Sequence, residues 1–438
     1  MSKRLNAALL ILALALLLCA CGGASPEETT APATQPPVET TQPVPETTEP
    51  TIPDTTEPPV EPVAEFISEG VQVMVDGADY TSGLSDENHY SKRIIYLPQT
   101  LEVTSETPFS TLYIQWDAIP GSYEIRWDGG SVTAGSYGFL HEYIRLPGET
   151  NHVEFVFPEG KESVTLCDVE VLTAGTAPEG VQDWLPPCEK ADILVFPTHS
   201  DDDVLFFGPL LIYYAVETDY TVQTAFMVDH TFYPERGHER LNGLWTMGLR
   251  HYPILGSATD SPISDFYEAL DFYWGSGIEQ WQVEQIRRFQ PLVVVGHDLK
   301  GEYGNGGHKV NAYYLTSAVE VASDPEVYPE LAERYGVWQT PKLYLHLYEE
   351  NEIYMDVETP LQRDPQGRNT FEIATEAYKA HVSQHQYGWF RVQYGESRMY
   401  DCRPFGLYRS LVGPDTVADI MDNIDVAQWR ATEQENET

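Results

Sequence analysis

The sequence places an imidazole and three carboxylates within five consecutive residues. His199-Ser200-Asp201-Asp202-Asp203 follows an apolar run at 193–196 after two intervening residues, Pro197 and Thr198. Adjacent acids repel one another and raise their own pKa values unless a cation lies among them, so a metal ion explains the crowding. His199 and Asp202 would lie on one side of the turn as ligands, while Asp201 projects elsewhere and can reach metal-bound water. The alternative is an acidic helix N-cap with a solvated Asp run.

A second polar cluster follows another apolar run, at 292–295, and extends from Gly296 to His308. Its glycines permit tight turns and close backbone approach. His308 would begin a helix, where its ring can complete a facial site of two imidazoles and one carboxylate with an open coordination position. Taken alone, His308 is more typical of a residue at a helix start than of a metal ligand. Because the first cluster supplies two further candidate ligands, the interpretation of His308 as a ligand becomes the favoured one.

Together the motifs resemble those of the PIG-L/LmbE-like zinc-dependent N-acetylglucosaminyl deacetylase family. That family's first motif runs His-Pro-Asp-Asp-Glu after a strand, and its second ends in Tyr-Gly-His-Pro-Asp-His. The resemblance covers about Asp192 to Pro414 and includes three further motifs in the family's order. These are Arg236-Gly237-His238-Glu239 with Gly248 nine residues later, the loop from Leu255-Gly256 to Asp260-Ser261, and Lys379-Ala380-His381-Val382-Ser383-Gln384. Five features in order are fairly specific, whereas any one alone is weak.

The resemblance implies a zinc site with three ligands: His199, Asp202 and His308. It implies that Asp201 is the general base on metal-bound water, that Tyr303 polarises the amide carbonyl, and that Arg236 and Asp260 hold sugar hydroxyls. For Arg236, a helix-surface ion pair with an acid one turn on explains the spacing equally well. The chemistry is coherent, because the metal lowers the pKa of water towards about 7 and a hydrogen-bond donor stabilises the oxyanion.

This chain departs from the family pattern in both motifs. Ser200 and Asp203 replace a Pro and a Glu whose roles we expect to be structural. Asn305 stands where relatives commonly carry a His, and Gly307 replaces the acid between it and the last ligand. Asn305 can donate a hydrogen bond but cannot deliver a proton to the leaving amine. His297 either substitutes as the catalytic imidazole or is a partly buried structural residue.

The elements that must position these clusters follow from the hydrophobic pattern. It predicts an α/β domain with a doubly wound, mostly parallel, Rossmann-like sheet, in which catalytic groups gather at the carboxyl ends of strands. The predicted strands are 193–196, 221–228, 292–295 and 343–347, and the predicted helices are 204–214, 235–247, 279–289, 308–322 and 372–385. His381 and His385 would share one face of the last helix as packing or hydrogen-bonding residues.

Ahead of this domain, short alternating runs predict an all-β sandwich at 66–187. The runs are 71–75, 93–97, 111–116, 123–127, 152–157 and 164–172. The region resembles the galactose-binding-like jelly rolls that accompany extracellular carbohydrate enzymes. Trp116, Tyr123 and Trp127 either stack on sugar rings or, as alternation favours, belong to the core.

The N-terminal residues indicate export. Lys3 and Arg4 precede an apolar run at 7–20 that ends before Cys21, the pattern of a lipoprotein signal peptide at 1–20. The run is shorter than the roughly 20 apolar residues of a membrane span, and an uncleaved anchor is the alternative. We expect lipidation of Cys21, a disordered Thr/Pro/Glu-rich tether at 21–65, and a deacetylase domain at 188–430. The protein would then lie on the extracellular face of the cytoplasmic membrane, held by lipid alone.

Composition excludes some partners. Lys and Arg number 25 against 68 Asp and Glu, a net charge of −43, so binding to nucleic acid is disfavoured. For Cys167, Cys188 and Cys402, buried free thiols are more typical than a Cys167–Cys188 bridge, and no Cys-x-x-Cys pair indicates a thiolate metal site. Oligomeric state is not predicted.

The sequence therefore predicts a zinc-dependent hydrolase that removes the N-acetyl group from an N-acetylglucosamine-type amino sugar or glycan at the cell surface. The second hypothesis is a catalytically impaired, deacetylase-like lipoprotein that binds surface glycans, because Asn305 replaces the usual His.

Overall fold

The computed structural model describes residues 61–230 and 233–436. The predicted signal peptide, the lipidation at Cys21 and the tether up to residue 60 lie outside them. The end of the predicted tether already packs on the strands, since Ala64 is buried and donates its N–H to the Thr176 carbonyl. The described residues form one compact unit with an all-β part and an α/β part, called here the β domain and the α/β domain. Within these residues, no helix combines the length and apolar composition needed to cross a bilayer.

Alternating residues build the β domain. Its strands are β1 (Phe66–Ile67), β2 (Gln72–Val75), β3 (Ala78–Asp79), β4 (Arg93–Tyr96), β5 (Leu101–Trp116), β6 (Tyr123–Trp127), β7 (Gly130–Ala134), β8 (His141–Val156) and β9 (Ser163–Leu172). All pairings are antiparallel, and the long strands β5 and β8 connect the nine strands into one sheet around an apolar core. Trp116 and Tyr123 are buried in this core and Trp127 packs against it, so the core interpretation of these aromatics is the one observed.

The α/β domain contains a mixed sheet. Its strands are β10 (Ile193–Val195), β11 (Val222–Val228), β12 (Ile254–Ala258), β13 (Val293–Gly296), β14 (Lys342–His346), β15 (Glu352–Tyr354) and β16 (Pro404–Ser410). Their order is β12-β11-β10-β13-β14-β16-β15. The first five in this order are parallel, and the continuous apolar sequences of four of them predicted this. Strand β12 was not predicted, and neither were β16 and β15, which add an antiparallel end to the sheet.

Nine helices accompany these strands in the described residues. They are α1 (Asp202–Leu205), α2 (Gly208–Ile212), α3 (Pro234–Thr246), α4 (Phe266–Phe272), α5 (Ile278–Phe289), α6 (Gly306–Val321), α7 (Pro329–Tyr335), α8 (Thr370–Tyr378) and α9 (Val426–Asn436). Helices α1, α2, α3 and α8 pack together, as do α4 to α7. That the helices cover both faces of the sheet stays a prediction.

Two predicted helices are wrong in extent. The helix expected at 204–214 is interrupted between α1 and α2, with Pro209 in the first turn of α2. The helix expected at 372–385 ends at Tyr378, and a short 3-10 turn, Val382–Gln384, follows it. His381 and His385 therefore do not share a helix face. The ring nitrogens of His381 are buried without a hydrogen-bond partner among the described residues, and the His385 ring contacts the Tyr378 carbonyl.

Candidate metal centre and active site

Strands β10 and β13 are neighbours, and the strand order reverses between them. In parallel sheets, ligands bind beyond the carboxyl ends of the strands at such a reversal. Thr198, which follows β10, donates its backbone N–H to Nε2 of His297, which follows β13, at 2.9 Å. The two polar clusters of the sequence therefore meet at this end of the sheet.

The three predicted metal ligands lie together. Nδ1 of His199 is 3.1 Å from Nε2 of His308, and the carboxylate of Asp202 lies 3.2 Å from each of these nitrogens. All three side chains are buried. Asp202 begins α1 and His308 lies in the first turn of α6, so two helix starts and one strand end position the group.

This arrangement fits a divalent metal ion. Donor atoms bonded to zinc at about 2.0–2.2 Å are separated from one another by little more than 3 Å, which is the spacing seen here. The charge distribution also favours a cation here, because the buried carboxylate of Asp202 faces two buried imidazoles. Burial lowers the pKa of His199, but Asp202 and Asp260 outweigh it and raise that pKa to about 9. Burial raises the pKa of Asp202, but His308 and His199 outweigh it and hold that pKa well below its usual range.

Glu302 contacts three imidazoles on their Nδ1 side, a role that was not predicted from the sequence. This fully buried carboxylate contacts Nδ1 of His308 at 2.7 Å, Nδ1 of His297 at 2.8 Å and Nδ1 of His346 at 2.7 Å. A carboxylate on Nδ1 fixes the tautomer of His308, so that the lone pair of Nε2 is directed towards His199 and Asp202 and would be available to a metal ion there. The position of Glu302 inside the second polar cluster was the available signal, whereas His346 lies at the end of β14 and gave none.

The structure does not bring His297 to the reaction cavity. Its ring is fully buried, stacks on His308 with centroids 4.1 Å apart, and accepts the Thr198 N–H at Nε2. Because Nε2 is an acceptor, the ring proton lies on Nδ1, facing Glu302. Both ring nitrogens are therefore engaged, which fits the alternative of a buried structural residue, and the catalytic role of His297 stays a prediction.

Asp201, Arg236 and Asp260 form a connected charged group beside the metal ligands. Nη2 of Arg236 is 2.8 Å from Asp201, and its Nη1 is 3.4 Å from Asp260. Asp260 also lies 3.3 Å from Nε2 of His199. Arg236 thus pairs across the site, and the alternative of a helix-surface ion pair with an acid one turn on is wrong. Burial raises the pKa of Asp201, and the Arg236 charge opposes that rise.

Tyr303 and Asn305 line the same cavity as His199. Tyr303 has a left-handed φ of 44°, and its ring meets that of His308 edge-on at 5.4 Å. Asn305 caps α6, because its Oδ1 accepts the backbone N–H of His308 at 3.1 Å. Nδ2 of Asn305 points to the Tyr303 hydroxyl at 3.4 Å.

The two departures in the first motif occupy buried positions. Ser200 Oγ lies 2.8 Å from Nδ1 of His230 and accepts a hydrogen bond from Arg240 at 3.0 Å. Asp203 is fully buried, and neither carboxyl oxygen has a hydrogen-bond partner among the described residues. Burial raises the pKa of Asp203 well above its usual range, which favours the neutral acid in the interior.

A cavity of about 670 Å³ lies beside these groups. The segment after α8 forms part of its wall, because Ser383 donates its backbone N–H and its hydroxyl to Glu239 of α3 at 2.7 and 2.6 Å. Mostly polar and aromatic residues line it: His199, Asp201, Tyr233, Glu235, Arg236, Asp260, Ser261, Pro262, Tyr303, Asn305, Ser383, Gln384, Gln386, Tyr387 and Phe390.

No known family profile matches the chain, and no curated protein matches it in sequence. Among solved structures, it is similar to N,N'-diacetylchitobiose deacetylase from Pyrococcus horikoshii, with 16% identity over 45% of this chain and 72% of that one, at a TM-score of 0.34. It is similar to 4-carboxy-2-hydroxymuconate hydratase from Pseudomonas putida KT2440, with 16% identity over 53% of this chain and 100% of that one, at 0.30. It is also similar to a galactose-bound family 32 carbohydrate-binding module from Clostridium perfringens, with 15% identity over 23% of this chain and 93% of that one, at 0.19. With identities and TM-scores this low, the reaction must follow from the geometry of the site.

Proposed function

We propose that this chain is a zinc-dependent hydrolase that removes the N-acetyl group from an N-acetylglucosamine-type amino sugar or glycan, and that a lipid anchor holds it at the cell surface. One observation carries the proposal: His199, Asp202 and His308 meet at one point, with Asp201 beside them on the wall of a cavity. An imidazole and carboxylate set without a thiolate, open to a cavity, is typical of catalytic metal sites.

Asp201 is the proton carrier in this proposal. It takes a proton from the attacking water and passes it to the leaving amine. A carboxylate whose pKa is raised by burial suits this task, because a base works best when its pKa lies near the working pH. Arg236 fixes the orientation of the carboxylate at 2.8 Å and keeps its charged form accessible.

A divalent metal held by these ligands supplies Lewis acidity, lowering the pKa of water and polarising the acetamide carbonyl. Tyr303 donates a hydrogen bond to the carbonyl oxygen as negative charge develops there. Its phenol stays protonated for this role, because burial and the nearby Asp202 and Asp201 raise the pKa of Tyr303 well above its usual range.

The rest of the cavity suits a sugar ring. Arg236 and Asp260 present a cation and a carboxylate that can exchange their mutual contact, 3.4 Å long, for hydrogen bonds to hydroxyls. Tyr233 and Tyr387 offer aromatic faces against which the C–H face of a sugar packs. Such a mixture of apolar surface and a few placed polar groups is typical of small-molecule sites.

One observation favours the second hypothesis, a glycan-binding protein without turnover. Among the described residues lining the cavity, His199 is the single imidazole, and Asn305 cannot deliver a proton. Such a protein would keep the metal and the sugar contacts but would lack a separate acid for the leaving amine.

The test is acetate release from N-acetylglucosamine and its short oligomers by the purified, zinc-loaded protein, with metal content measured in parallel. We expect release that is lost in His308→Ala, together with the one equivalent of zinc assigned to His199, Asp202 and His308. His152→Ala, at an exposed histidine of the β domain, is the matched control and should retain both. Zinc bound at His199, Asp202 and His308 with no release from any amino sugar would favour the binding protein instead, and absence of zinc at these residues would overturn both.

A further inference from the structure

A second group of metal-ligating side chains lies where the β domain meets helix α3. Cys167 is on β9, Asp117 directly follows β5, and His238 is on α3. The sulfur of Cys167 is 3.9 Å from Nε2 of His238, and one donor atom from each of the three residues lies within 4.8 Å of the other two. None of the three lines the cavity of the first site.

We propose that Asp117, Cys167 and His238 bind a second metal ion of the zinc class, which fastens the β domain to the α/β domain. A thiolate, an imidazole and a carboxylate are all zinc ligands, and the sulfur selects soft or borderline metals over magnesium or calcium. Binding displaces the Cys167 thiol proton to solvent, so the ion replaces one proton and the site gains its anionic ligand.

The surroundings of His238 fit this role. Its Nδ1 lies 2.7 Å from Nε2 of His141, and Nδ1 of His141 lies 2.9 Å from the Tyr113 hydroxyl. This buried chain fixes the plane of the His238 ring. When Nδ1 of His238 donates to His141, Nε2 carries the lone pair toward Cys167, which is the orientation a metal requires.

Burial and access also suit a structural metal. Cys167 and His238 are 0% and 1% exposed, so these two ligands would hold the ion away from solvent. The Asp117 side chain is 16% exposed and provides the route of entry. Lys92 now lies 2.8 Å from Asp117, and because its side chain is 46% exposed, the ammonium can move into solvent when a metal arrives.

Cobalt provides a test that separates the two sites. A thiolate bound to Co²⁺ gives a sulfur-to-metal charge-transfer band in the near ultraviolet, whereas the first site has no sulfur ligand. We expect the band in wild type and in Asp202→Ala, and its loss in Cys167→Ser. Cys188→Ser, at another buried free thiol, is the matched control and should keep it. No band in cobalt-saturated wild type, or a band that survives Cys167→Ser, would overturn the proposal.

Zinc stoichiometry gives a second measurement that does not depend on activity. We expect Asp202→Ala to retain one equivalent and Asp202→Ala combined with His238→Gln to retain none. Lys92→Met should tighten zinc binding to the Asp202→Ala protein severalfold, because it removes the competing cation. A zinc-free Asp202→Ala protein, or unchanged affinity in Lys92→Met, would contradict a metal at Asp117. Failure here leaves the proposed deacetylase untouched, since the two sites share no ligand.

Discussion

One carboxylate oxygen of Asp201 contacts the Arg236 guanidinium, and the residue borders the cavity without belonging to the ligand triad. Its charge can therefore be removed without removing a metal ligand. In Asp201→Asn we expect full zinc content and a loss of turnover of about 10²- to 10⁴-fold, the usual contribution of a general base. Metal analysis measures the zinc content, and acetate release on the same preparation measures the loss of turnover. Retained turnover would remove Asp201 from the proton-transfer role.

Glu302 is the residue whose loss should be felt most widely, because one buried carboxylate serves three imidazoles. Glu302→Gln keeps the shape but sets an amide N–H against an imidazole N–H. We expect zinc affinity to fall about 10- to 100-fold, the usual effect of losing such a supporting carboxylate. Isothermal titration with zinc measures this. Glu268→Gln, the same change at an exposed position of α4, should leave the affinity unchanged.

The proximity of His199, Asp202 and His308 could be predicted from sequence, because the three residues stand in two short clusters after apolar strands. The residues that contact these side chains from the protein interior could not be predicted in the same way. His346 is fixed by a strand pairing and a Glu302 contact across 44 residues, which no local pattern reveals. His297 was ambiguous for the same reason, since only the fold shows whether a ring faces the cavity or Thr198.

Among the secondary-structure elements, the start of α6 is notable because the residue that caps this helix, Asn305, also lines the cavity. The side chain of Asn305 caps the helix with its oxygen and approaches the Tyr303 hydroxyl with its nitrogen. Asn305→Ala should lower the free energy of unfolding by about 1 kcal/mol, the usual value of an N-cap. Asn305→Asp keeps an acceptor for the cap but loses the N–H donor, so stability should be retained while kcat falls. Urea unfolding and acetate release on both variants separate the roles, and equal loss of stability in both would contradict the cap.

Strand β9 should give the β domain a pH-dependent stability. Burial raises the pKa of Asp168 from 3.8 to about 7, although backbone hydrogen bonds from Asp86 and Glu87 oppose the rise, and burial raises the pKa of Glu170 from 4.5 to about 7. The folded state then holds a proton that the unfolded state releases, so the free energy of unfolding declines as pH rises between those values. Asp168→Asn should reduce this decline. Urea unfolding across the window measures it, with exposed Asp76→Asn as the control, and an identical slope in Asp168→Asn would refute the assignment.

Most strands and helices could be predicted from periodicity, and the errors have physical causes. The break between α1 and α2 had a visible signal in Gly208-Pro209, because proline lacks an N–H and disfavours helix in the residue before it. The early end of α8 had none. There the chain turns so that Ser383 can bond Glu239, a tertiary contact that overrides local propensity. Strand β15 at the edge is short, its neighbour β16 has an irregular register, and both gave weak alternation.

For the whole molecule, the net charge of −43 implies self-repulsion in the folded state. Salt screens charges beyond about 10 Å at 0.1 M, so the compact form should gain stability as ionic strength rises. We expect the midpoint of urea unfolding to increase between low salt and about 0.15 M NaCl. KCl at the same ionic strength is the control and should give an equal shift, and a midpoint that falls with salt would contradict dominant repulsion.

Helix α3 connects these scales. Four nearby residues on it reach four different parts of the molecule: Arg236 contacts Asp201, His238 contacts His141, Glu239 contacts Ser383 and Arg240 contacts Ser200. Each helical residue is rotated by about 100° from the last, so a single insertion would turn all the contacts after it away from their partners. In evolutionary terms the β domain is then no freely exchangeable module. A replacement by recombination would have to offer the His238 ring an equivalent neighbour, or the helix that carries Arg236 would lose one of its attachments.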